Sequence, residues 1–183
     1  MLETERLFVR NFEIKDAYSC FKGWGKDKSL GKYILGYPME EKQMVSFVSV
    51  LAENENAWVI VEKESQNCIG YVTIDIPYIQ LGIGEIGYLI GERYQHKGYA
   101  HEAISCILQE YLVARNLYMI EAKYSVSNIA SEYLLKKLGF QIDGELRDRR
   151  IDLVSGKRKN LVICSITKEN LPNDPFMDWK KAE

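Results

Sequence analysis

The sequence predicts an α+β (mixed α/β) domain, a central sheet flanked by helices, and three observations carry that expectation. Helical and extended hydrophobic periods alternate through the middle of the chain, three neighbouring extended segments are joined by short polar turns, and an apolar hairpin follows them. The chain has 183 residues, enough for one hydrophobic core and short for two. Residues 1–170 are assigned to that domain. Residues 171–183 form a C-terminal tail with two prolines and many charges, but also Phe176, Met177 and Trp179.

The first strand is expected over 6–12, where Leu7 and Val9 alternate with Phe8 and Arg10. Asp16 opens a short helix to residue 21. The stretch after it is broken by Gly23, Gly25, Gly31 and Gly36 and carries Trp24, Tyr33 and Tyr37, which marks a flexible, aromatic-rich passage. Over 40–51, Met44, Phe47, Val48 and Leu51 recur at spacings of three and four, the stripe of an amphipathic helix. The period then becomes extended, and 57–61, 68–76 and 83–90 read as an antiparallel meander. In the third of these, Glu85, Gly87 and Leu89 share one face and Ile86, Tyr88 and Ile90 the other.

Residues 99–115 return to helix, with Ala103, Ile104, Ile107, Leu108, Tyr111 and Leu112 as the buried stripe and His101, Ser105 and Gln109 on the opposite, polar side. A strand over 118–123, a helix over 128–138 ended by Gly139, and a hairpin of 142–151 with 160–167 complete the pattern.

Charge and cysteine usage exclude several classes. The 24 basic and 26 acidic residues give a formal net charge of -2, so the cationic footprint that nucleic acid selects is absent. Cys20, Cys68, Cys106 and Cys164 are far apart, and three of them lie in apolar runs, which suits buried thiols in a reducing cytoplasm better than disulfides. With two histidines there is no Cys-His metal spacing, and no metal is expected. No leader and no run long enough to span a bilayer is read, so the expectation is a soluble cytoplasmic protein without membrane or nucleic-acid partners.

The segment richest in chemistry is the loop into the helix at 99. A glycine at that junction lets a ligand approach the backbone closely, and the first helical turn offers unpaired N–H groups at the positive end of the dipole, a place that suits pyrophosphate. Neither the Gly-Lys-Ser/Thr phosphate loop nor the three-glycine dinucleotide pattern occurs. The run is Gln95-His96-Lys97-Gly98-Tyr99-Ala100, followed by Glu102-Ala103. With this form, Gln/Arg-x-x-Gly-x-Gly/Ala, the chain resembles the GNAT superfamily of N-acetyltransferases. Within it the chain is most similar to the ribosomal-protein alanine acetyltransferases, through Thr4-Glu5-Arg6-Leu7, Glu85-Ile86-Gly87-Tyr88, Asn128-x-x-Ser131, Lys137-Leu138-Gly139-Phe140 and Gly144-x-x-Arg147. These blocks keep family order and spacing over residues 3–168.

The resemblance implies the acyl-CoA N-acyltransferase fold, with a V-shaped opening between two strands that takes the pantetheine arm of acetyl-CoA. Main-chain groups of Ile86, Gly87, Tyr88, Leu89 and Ile90 would pair with the arm, and Gln95, His96, Lys97, Gly98, Tyr99 and Ala100 would hold the pyrophosphate, with Asn128 orienting cofactor or substrate. It implies Ser131 as the group beside the departing sulfur. Leu135 stands where many members of the wider superfamily carry a tyrosine as general acid, and Tyr133, two positions earlier, points about 200° around the helix and is no substitute.

The reaction class sets the remaining roles. An amine attacks a thioester only when neutral; a peptide α-amine is neutral in roughly one molecule in ten at pH 7, whereas a lysine must give up about 4.6 kcal/mol. The acceptor is therefore expected to be a protein or peptide N-terminal amine, or a small amine, with Glu85 as base, directly or through water. Trp24, Tyr33 and Tyr37 are the expected acceptor wall. Little acidic charge lies between Trp24 and Tyr37, which ranks polyamines and aminoglycosides lower. Asn160 replaces an aspartate usual in the alanine-acetyltransferase branch. A non-catalytic acyl-CoA-binding protein of the same fold is the alternative, and the resemblance leaves room for a homodimer.

Overall fold

The computed structural model describes residues 1–173 and the backbone of 180 and 181. Among the described residues nine strands form one sheet: β1 (Leu2–Glu3), β2 (Leu7–Asn11), β3 (Ala57–Glu62), β4 (Cys68–Tyr78), β5 (Ile83–Ile90), β6 (Met119–Ser125), β7 (Gln141–Ile151), β8 (Arg158–Thr167) and β9 (Lys180–Lys181). Their order is β7-β8-β6-β5-β4-β3-β2-β1-β9, and β5–β6 is the parallel pair in an otherwise antiparallel sheet. Four helices flank it: α1 (Ala17–Cys20), α2 (Glu41–Ala52), α3 (Tyr99–Leu108) and α4 (Ile129–Lys137). Wider helical turns extend α1 over Phe21–Gly25 and α3 over Gln109–Ala114. A mixed sheet flanked by helices is the expected fold class.

Strand alternation divides the core in two. Ile74, Ile86, Ile90, Ile120, Ala122 and Tyr124 face α3 and α4 with Ile104, Ile107, Leu108, Leu135 and Leu138. Val59, Val61, Cys68 and Leu89 face α1 and α2 with Cys20, Trp24, Met44, Val48 and Leu51. Full burial of each large side chain contributes about 1.5–3 kcal/mol, so both faces are needed to hold the sheet.

Local signals set the helix ends. The Glu40 N–H donates to Gln43 Oε1 (2.8 Å) at the start of α2, and Asn128 Oδ1 accepts from the Ser131 N–H (3.2 Å) at the start of α4. Gly139, with φ +94°, follows α4 in the left-handed conformation its sequence position suggests.

One expectation about the helices needs correction. His101 and Ser105, placed on a polar outer side of α3, are buried, as is every residue from His101 to Leu108. From His101 to Leu108 the helix is covered on all sides, so this stretch has no solvent-facing side. In the tail, Lys180–Lys181 pairs with Leu2–Glu3; Phe176, Met177 and Trp179 lie outside the described residues.

Candidate active site

The site begins where two strands part. β5 and β6 are in register at Ile83↔Met119, Gly84↔Ile120, Glu85↔Glu121 and Ile86↔Ala122, and pairing ends there although both strands continue. Gly87, Tyr88, Leu89 and Ile90 remain bonded to β4, opposite Thr73, Val72, Tyr71 and Gly70. Their edge toward β6 is therefore free of a strand, the kind of unpaired main-chain row that an extended amide-bearing arm completes.

Beyond β5 the chain reaches α3 through Gln95–Gly98. His96 (φ +60°) and Gly98 (φ +84°) are both left-handed, and His96, Lys97 and Gly98 are exposed. Glu102 N–H is the first to find a helical acceptor, Gly98 O (3.0 Å), and no side chain caps the start. The N–H groups of Gly98, Tyr99, Ala100 and His101 thus precede the intrahelical ladder, at the positive end of the dipole. A Cβ on Gly98 would stand 3.3 Å from Arg6 Nη2. The Gln95 side chain turns away and donates to Ile90 O (2.9 Å), closing off the end of β5. Lys97 lies over the Tyr94 ring (5.6 Å), which brings a cation to the loop. These features fit a pyrophosphate with an extended arm, the shape of coenzyme A.

The face of the sheet opposite α3 carries the charged groups. Asp75, Glu85 and Glu121 are in register across β4, β5 and β6 and so project side by side. Lys123 Nζ reaches Glu85 Oε2 at 2.5 Å, with both side chains partly exposed, so the pair remains open to exchange with solvent or another cation. An open recess of about 220 Å³ is lined by Glu85, Glu121 and Lys123, with Tyr78 and Leu81 on its rim.

The predicted residues divide accordingly. Glu85 stands at the mouth of the split. Asn128 is spent at least partly as the cap of α4, and the Ser131 hydroxyl faces Tyr88. The Tyr88 hydroxyl is buried; burial pushes it up to about 12, against a smaller downward pull from Ser131. Leu135 is core at 2% exposure, and Tyr133 points to solvent. Of the acceptor wall, Tyr33 is exposed and Tyr37 half-buried, but Trp24 is fully buried against Tyr37, Phe47 and Tyr71 and lines no opening. Burial, then Tyr71, pushes the Tyr37 hydroxyl well above its ordinary range. Asn160 holds the β7–β8 hairpin, donating to Glu145 and accepting from the Asp148 N–H.

Sequence reasoning did not single out Asp75, Glu121, Lys123, Tyr78 or Leu81 for the site. The register that aligns the three carboxylates depends on turns that the sequence pattern does not fix. Among the described residues no group of His, Cys, Asp or Glu could hold a metal ion, and no helix is long and apolar enough to cross a membrane.

A family model described as an acetyltransferase (GNAT) domain matches residues 6–141. Among curated relatives, the uncharacterized N-acetyltransferase p20 of Bacillus licheniformis is 33% identical over 173 residues, covering 91% of this chain and 96% of its own. The ribosomal protein uS5-alanine N-acetyltransferase of Escherichia coli is 30% identical over 82 residues, 45% of this chain and 41% of its own. Among solved structures, the microcin C7 self-immunity acetyltransferase MccE, in complex with acetyl-CoA and AMP, has the same fold, with a TM-score of 0.79, 23% identity, and coverage of 89% of this chain and 93% of its own.

Proposed function

The chain belongs to the GNAT acetyltransferase family, and on that premise we propose that it moves an acetyl group from acetyl-CoA to a primary amine by direct attack in a ternary complex, with residues 1–170 as the catalytic domain. The observation that carries the reading is the release of β5 from β6 after Ile86, beside a helix whose first amides have no cap. Acetyl-CoA, when bound, supplies the activated acetyl thioester. The amides from His96 to Ala100 hold its diphosphate, and the free edge of Gly87–Ile90 pairs with its arm.

Glu85 takes the proton of the attacking amine, directly or through one water, from the face opposite α3. Asp75 and Glu121 beside it favour an acceptor that arrives as a cation, since three carboxylates face one lysine there. A main-chain N–H on the open half of β5 stabilises the developing oxyanion. Ser131 donates to the departing sulfur, and Asn128 fixes the helix that carries it. The acceptor is a protein or peptide N-terminal amine or a small amine, and the carboxylate row raises the standing of polyamines above what residues 24–37 suggested.

A thiol-release assay with acetyl-CoA tests the reading, run against peptides differing in their first residue and against small mono- and polyamines. At least one amine should release free thiol, and Glu85→Gln should lower kcat for it about 10²–10³-fold. Tight cofactor binding without thiol release on any amine would overturn it.

A further inference from the structure

Beside the nucleotide loop, one charged contact has no role in the chemistry above. Glu102, in the first turn of α3, is fully buried, and both its oxygens are spoken for: Oε1 accepts from Thr4 Oγ1 (2.6 Å) and the Arg6 N–H (2.9 Å), Oε2 from Arg6 Nε (2.7 Å) and Nη2 (2.6 Å). The third guanidinium nitrogen, Nη1, donates to Lys97 O (3.0 Å). The Arg6 plane also lies over the Tyr99 ring, 4.6 Å from its centre. A single side chain from the edge of β2 thus holds the loop on one side of Gly98 and the helix on the other.

The geometry points to Arg6 as a positioning residue for the cofactor: by holding the Lys97 carbonyl, it aims the Gly98 N–H at the pyrophosphate. The two groups belong to one trans peptide plane, so fixing the oxygen toward Arg6 directs the hydrogen the opposite way. Gly98 is in the left-handed region and has no side chain to bias that plane, which leaves it free to rotate unless an outside contact holds it. The fork of arginine can reach Glu102 and the carbonyl together, which the single ammonium of lysine cannot. Glu102 neutralises much of the Arg6 charge, so Arg6 acts through the direction of the amide more than through its own attraction for phosphate. Thr4 and the buried carboxylate keep the guanidinium from moving. The inference rests on the reading that this loop holds a pyrophosphate.

The test compares Arg6→Gln with wild type by calorimetric titration of CoA and by the ratio of kcat/KM for acetyl-CoA to that for acetyl-pantetheine, which lacks the diphosphate. Loss of one charge-assisted bond to the loop should weaken CoA binding about tenfold to a hundredfold and lower that ratio by a similar factor. Should Arg6→Gln fail to fold, Arg6→Lys is measured in the same way, and both quantities should fall in the same direction. Unchanged CoA affinity, or a loss shared equally by both donors, would overturn the inference and leave Arg6 as a strut. Wild-type protein that binds acetyl-pantetheine as tightly as acetyl-CoA would overturn the pyrophosphate reading itself, and the inference with it.

Discussion

Along one face of β4 and β5, three cross-strand pairs lead from core to site. Tyr71↔Leu89 is roofed by Trp24, Tyr37 and Phe47 and belongs to the buried cluster under α1 and α2. Thr73↔Gly87 is intermediate, and in the pair Asp75↔Glu85 the aspartate is exposed while Glu85 lines the recess rimmed by Tyr78 and Leu81. The strands are continuous and the alternation is the same, so what separates a packed pair from a reactive one is where the helical cover ends. Trp24, Tyr37 and Phe47 cover one end, while Tyr78 stands exposed at the other, the end that the proposed function gives to the acceptor.

The comparison can be broken from either side. Trp24→Ala removes a fully buried indole and should cost about 3–5 kcal/mol of unfolding free energy in denaturant titration. If the variant kept its stability and only the acceptor KM rose, Trp24 would be an acceptor wall after all. The roof is also anchored by Asp16, next to α1, which takes a bidentate contact from Arg10 (2.7 Å on each oxygen) and the Glu13 N–H (2.8 Å). Burial works to raise its carboxyl, but the Arg10 hydrogen bonds and charge and the Glu13 amide outweigh it and hold the carboxyl below its ordinary range. A lowered folded value stabilises the protein above the unfolded value of about 3.9 and loses that support as pH falls through the folded one. Asp16→Asn should therefore cost about 2–3 kcal/mol at pH 7, with the gap to wild type closing in the acid limb of a stability profile. A gap constant down to pH 2 would remove the ion pair from the account. At the open end the effect should be smallest: Tyr78→Ala should raise the acceptor KM about two- to fivefold and leave stability within about 0.5 kcal/mol. A stability loss like that of Trp24→Ala would place Tyr78 in the core.

Much of this was readable before any coordinates. Strict alternation in 83–90 put Glu85 on one face with Gly87 and Leu89, and the Gln95–Ala100 run marked the helix start, because a period of two and a glycine beside a helix are local signals. The burial of Trp24 was not legible, for an equally physical reason. The glycines around it suggested a flexible passage, yet a Cβ on Gly23 would meet Cys68 O at 2.0 Å. Glycine there marks two backbones in contact, and composition alone does not separate that from freedom. The outer side of α3 was misread because a hydrophobic stripe shows which face is most apolar, without showing what covers the other. The alignment of Asp75 with Glu85 and Glu121, and the Arg6–Glu102 contact across 96 positions, needed the fold itself.

The central claim is that the diphosphate of acetyl-CoA rests on the amides opening α3 while its arm fills the place where β6 leaves β5. A crystal structure of the protein soaked with acetyl-CoA tests it most directly. The phosphates should lie within hydrogen-bond distance of the main-chain nitrogens between His96 and Ala100, with the arm bonded to main-chain groups of Gly87–Ile90. Ligand density elsewhere, with those amides facing solvent and the strand edge bare, would contradict it.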